Sequence, residues 1–103
     1  MSQTGYYPNW RDKVVFSNEG PKPQILLEDE KIKVIIAGLE PGQKIPPHQE
    51  NLSVFHFLDG KGWMTVDGER LAVAAGATII TQSGSARGIE AETRLVFLAT
   101  RVA

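Results

Sequence analysis

A chain of 103 residues with a formal net charge of -1 and no cysteine is the size of one domain, and it has no disulfide, no thiolate metal site and no cysteine nucleophile. Acids and bases are intermixed, so there is no basic field to draw nucleic acid. The opening MSQTGYYPNWRDK lacks the apolar core of a signal peptide and no stretch approaches the ~20 apolar residues of a membrane helix, which predicts a cytoplasmic protein without membrane or nucleic-acid partners.

The first 30 residues read as an N-terminal arm with edge strands, and 31–103 as the barrel of the same single domain. Tyr6, Tyr7 and Trp10 form an aromatic cluster, suited to a subunit contact if exposed and to capping the barrel if buried. The one helical possibility is a short turn near Pro8 to Lys13. Glu28-Asp29-Glu30 reads as a solvated turn. Lys31 to Leu39 starts with charged and apolar residues alternating and then turns apolar on both faces, which predicts a strand. Pro41-Gly42 and Pro46-Pro47 are turn signals.

Leu52 to Leu58 and Trp63 to Val66 are further strands. Side chains alternate faces along a strand, so Ser53, Phe55 and Phe57 share one face and His56 takes the other, unless a bulge re-aims the chain. Asp67-Gly68 predicts a two-residue hairpin turn into Glu69-Arg70-Leu71, because both central residues tolerate a positive φ. Ala77 to Thr81 and Arg94 to Val102 complete the strands, with a glycine-rich loop from Ser83 to Gly88 between them. Short strands with frequent turns and no 3.6-residue apolar repeat predict an all-β sandwich or barrel.

Two stretches carry a resemblance: PGQKIPPHQENLSVFHFLDG, Pro41 to Gly60, and GATIITQSGSARGIEA, Gly76 to Ala91. Together they resemble the two motifs of the cupin family. The first motif runs Gly, five residues, His, one residue, His, then Glu, six residues and a closing Gly. Gly42, His48 and Gly60 match it, while Glu50 stands at the second His and Ser53 at the Glu. The second motif runs Gly, five residues, Pro, one residue, Gly, two residues, His. Gly76 and Gly84 match, Gln82 stands at the Pro and Arg87 at the His. The resemblance spans about residues 32–102. It implies a double-stranded β-helix, or jelly-roll, barrel with a short N-terminal arm, and a homodimer. Three of the four usual metal ligands are replaced.

In that frame His48, Glu50 and Arg87 converge in the mouth of the barrel. Arg87 has no lone pair to give a metal. One reading pairs it with Glu50, its charge standing in for the metal; the other leaves it a solvated surface residue. The function expected first is binding of a small polar ligand in the barrel pocket, with little or no metal, through His48, Glu50, Arg87 and the aromatic wall of Trp63. The alternative is a metal-dependent enzyme of the dioxygenase, isomerase or decarboxylase type. It would hold iron, manganese, nickel or zinc through His48, Glu50 and, if a bulge turns it inward, His56.

Overall fold

A computed structural model describes residues 4–103. After a 3₁₀ turn at Trp10–Asp12, the strands are β1 (Gln24–Glu28), β2 (Ile32–Leu39), β3 (Lys44–Gln49), β4 (Ser53–Asp59), β5 (Lys61–Val66), β6 (Glu69–Ala74), β7 (Thr78–Thr81), β8 (Ala86–Ala91) and β9 (Leu95–Val102). They form two antiparallel sheets, ordered β1-β2-β9-β4-β7 and β3-β8-β5-β6. This is the expected all-β jelly roll. Among the described residues no helix is long and apolar enough to cross a membrane.

Local chemistry explains the turns. Asp67 and Gly68 have φ of 50° and 85°, and Val66 pairs with Glu69 across them, as a type I′ hairpin requires. Along β4, Ser53, Phe55 and Phe57 are buried while His56 is exposed, so the alternation runs unbroken there. The stretch read as a glycine-rich loop instead becomes β8 from Ala86 onward. β8 is flanked by β3 and β5, and neighbouring ladders hold a strand that its own composition does not announce.

A bulge in β3 matters for the site. Ile45 pairs with Ile89 and His48 with Arg87, so Pro46 and Pro47 together oppose Gly88. Neither proline has an N–H to give the ladder, and two residues against one is the count of a β-bulge. The bulge puts Ile45 and His48, three apart, on one face. Gly88 makes room for it: a Cβ there would lie 2.7 Å from the Ile45 carbonyl oxygen and 2.9 Å from the Pro47 nitrogen.

The inner faces stack in rungs. Lys33, Arg101 and Ser53 are cross-strand neighbours on β2, β9 and β4. The next rung holds Ile35, Ala99 and Phe55, and the third Ala37, Phe97 and Phe57. The core fills the deep end, where Ala37, Leu39 and Leu95 are fully buried against Phe57, Phe97 and Met64.

The N-terminal segment folds back on its own barrel. Val14 and Phe16 lie over Gly38, and Gln43 Nε2 donates to the Ser17 carbonyl at 2.6 Å. Of the aromatic cluster, Tyr6 and Tyr7 are exposed, and Tyr7 donates to the Leu26 carbonyl on β1. Arg94 stacks on Phe16 and grips Glu40 at 2.6 and 3.2 Å. The hydrogen bond from Arg94 holds the Glu40 carboxyl below its ordinary pKa. A depressed carboxylate stabilises the fold fully above the ordinary glutamate pKa of about 4.3 and loses that contribution as the pH falls through the depressed value. Glu40→Gln is therefore expected to flatten the acid limb of the stability curve below pH about 4, measured by urea melts. An unchanged acid limb would mean that this pair does not titrate with unfolding.

Candidate ligand pocket

The shallow end of the sandwich is hollow. A cavity of about 310 Å³ opens there, within the range of small-molecule sites. Its walls are Ile25, Ile35, Ile45, Phe55, Ile89 and Phe97. Its polar groups are Lys33, His48, Ser53, Arg87 and Arg101. The rungs explain this segregation. Lys33, Arg101 and Ser53 occupy the outermost inward rung of one sheet, and His48 faces Arg87 across the other.

Arg87 is the central group. It is only 6% exposed. Its Nη2 donates to Ser53 Oγ at 3.0 Å, and its guanidinium carbon sits 5.2 Å from the Phe55 ring centroid. Its Nη1 is buried without a partner. Burial lowers the pKa of the guanidinium; Glu50 opposes that and Arg101 reinforces it. Leaving a charged donor buried and unpaired is costly.

Arg87 is thus not the solvated loop residue of one reading, and its partner is not Glu50 as in the other. Glu50 Oε1 lies 3.2 Å from Arg101 Nη1, and Glu50 Oε2 lies 3.6 Å from His48 Nε2. The strand ladder accounts for the exchange. Arg101 pairs with Ser53, which places it beside the β3–β4 connection that carries Glu50. Glu50 and Arg101 keep side-chain exposures of 29% and 34%, so water screens their pair. Glu50→Gln is expected to change stability by less than about 1 kcal/mol. A loss of several kcal/mol in chemical denaturation would mean that Glu50 neutralises Arg87 after all.

Two predicted site residues lie elsewhere. Trp63 points away from the cavity, because Met64 beside it fills the core. Its ring lies under the Arg70 guanidinium at 4.0 Å on the outer face of the second sheet. His56 is exposed and its Nδ1 lies 3.0 Å from Thr78 Oγ1 on β7, so the structure does not bring it to His48 and Glu50. Sequence reasoning missed Lys33 and Arg101. The signal available for Arg101 was its inward parity with Phe97 and Ala99 on one strand.

The transition metal implied by the resemblance does not fit this donor set. Among the described residues no three His, Cys, Asp or Glu side chains converge. His48 lines the cavity and Glu50 lies beside it. Glu50 already faces Arg101, and the Arg87 charge repels a cation. The same groups suit an anion or a strong hydrogen-bond acceptor, which Arg binds through its planar fork.

Comparisons with known proteins agree on the fold. A family model described as "Cupin domain" matches residues 35–100. No curated protein matches the chain. Among solved structures, an uncharacterised conserved protein with a double-stranded β-helix domain from Klebsiella pneumoniae is 21% identical, with a TM-score of 0.86, covering 98% of this chain and 90% of that one. A predicted oxalate decarboxylase from Thermotoga maritima is 24% identical, with a TM-score of 0.73, covering 80% and 79%. Salicylate 1,2-dioxygenase from Pseudoaminobacter salicylatoxidans is 16% identical, with a TM-score of 0.75, covering 81% of this chain and 27% of its own.

Proposed function

The chain belongs to the cupin family, and on that premise we propose that it binds a small polar ligand in the cavity between its sheets without a metal ion. The observation that carries this reading is Arg87. It stands where the family motif has a metal-binding histidine, it lines the cavity, and its Nη1 is a buried donor with no partner in the protein. The positive charge of its guanidinium at the cavity wall suits a ligand acceptor and repels a metal.

The metal-dependent alternative needs a third donor beside His48 and Glu50, and His56 is on the opposite face of β4. The enzymes among the structural neighbours share the fold at 24% identity or less. Fold alone does not carry chemistry across.

Isoleucine methyl NMR tests the reading. Ile25, Ile35, Ile45 and Ile89 line the cavity, whereas Ile32, Ile36, Ile79 and Ile80 do not. Titration with a library of small polar molecules in chelated buffer is expected to move the first set alone. Perturbations spread over both sets, or none with any compound, would contradict a metal-free ligand pocket.

A further inference from the structure

The rungs of the cavity constrain which molecules fit it. The outer rung gathers three cations, Lys33, Arg87 and Arg101, with His48 and Ser53. Two carboxylates answer them from outside the lining: Glu50 meets Arg101 at 3.2 Å and Glu28 meets Lys33 at 3.7 Å. Arg87 has neither. Thr81, the cross-strand neighbour of Ser53, has a buried Oγ1 with no partner, and the only other buried side-chain atom in that condition among the described residues is Arg87 Nη1. Both unsatisfied groups therefore belong to the charged layer.

The next rung reverses the chemistry. Ile35, Ala99 and Phe55 on one sheet face Ile45 and Ile89 on the other. No charged side chain from this rung lines the cavity. A second charge on the ligand would be buried there without a partner, at high cost. A sugar or other polyol would leave several hydroxyls unpaired against isoleucines for the same reason.

We propose that the ligand is a small monocarboxylic acid with an apolar tail. Its carboxylate sits at the charged rung, anchored by Arg87 and shared with Arg101, and its tail lies along Ile35, Ile45, Phe55 and Ile89. The proposal rests on the metal-free pocket reading above and narrows it to one chemical class. Arg87 Nη2 already serves Ser53 and Nη1 is enclosed by protein, so what Arg87 offers the carboxylate is its positive charge at the cavity wall, with Arg101 beside it. The interior of about 310 Å³ is at the small end of ligand sites, which limits the tail to a short chain or a single ring.

The test is calorimetry on the intact protein with sodium alkanoates from butanoate to octanoate and with the matching primary amides. Each acid is expected to bind at least roughly tenfold more tightly than its amide, as loss of a charge-assisted bond predicts. Affinity is expected to rise about fourfold per methylene until the cavity is full. Arg87→Met is expected to weaken the acids far more than the amides and so to shrink the preference for acid over amide to a few-fold at most. Arg101→Gln, at the half-exposed rim, serves as a second variant and is expected to weaken acids more than amides. Amides binding as tightly as acids to the wild type would overturn the carboxylate class and leave the pocket reading standing. Dicarboxylates such as glutarate and adipate outbinding the alkanoates would overturn the single charge. Acids and amides both failing to bind, with the wild type folded, would overturn this proposal; the isoleucine titration with other compounds then decides the pocket reading separately.

Discussion

Arg87→Met is expected to raise the stability of the protein by about 1–3 kcal/mol, the sign opposite to that of most buried substitutions. Arg87 is 6% exposed, its Nη1 is unpartnered, and Arg101 adds repulsion. Against these stand one hydrogen bond to Ser53, the contact with the Phe55 ring and a Coulomb attraction to Glu50 that no hydrogen bond accompanies. Methionine keeps the packing over Phe55 and removes the desolvated charge. Ser53 still donates to the Asn51 carbonyl at 2.9 Å, and Glu50 still has Arg101, so neither is stranded. For a domain of this size each kcal/mol moves the melting midpoint by about 4–8 °C. A rise of several degrees in thermal unfolding is the expected result. A fall of similar size would mean that the guanidinium is satisfied within the protein, and the case for an acceptor supplied by a ligand would go with it. A destabilising group retained inside a pocket is the pattern of a stability–function trade-off.

Phe97→Ala is expected to be the most damaging single truncation, at about 3–5 kcal/mol. The Phe97 ring sits between Phe55 and Phe57, with centroids 5.8 and 6.0 Å away, and it is 2% exposed. Native domains hold about 5–15 kcal/mol in all, so the variant keeps only part of its margin. Phe97 also floors the cavity. Its loss deepens the pocket rather than sealing a void, and longer alkanoates should gain affinity relative to butanoate. Urea unfolding checks the first part through a lower midpoint at unchanged slope, and calorimetry the second. A loss under about 1 kcal/mol would mean that the ring is not wedged as described.

The sequence made the architecture readable wherever the signal was local. The face alternation of β4 and the turn at Asp67-Gly68 follow from period and backbone chemistry. β1 was less visible because QILLE is short and lies just after two prolines. β8 hid behind SGSARG, whose glycines and serines mimic a loop. The site was harder for a different reason. Glu50 and Arg101 are 51 positions apart, and strand pairing alone brings them together. The family motif aligned Glu50 with Arg87, yet Arg87 hydrogen-bonds Ser53 and Glu50 forms its ion pair with Arg101. Trp63 was readable in principle: Met64 and Trp63 are adjacent, so only one of them faces the core.

The central claim is that an arginine-centred pocket stands where metal ligands would be, and elemental analysis tests it most directly. Protein purified without chelator or affinity metal is expected to carry iron, manganese, nickel and zinc far below one per chain. Its melting midpoint should not change when those ions are added. One tightly held metal per chain, with stabilisation on adding it back, would contradict the account.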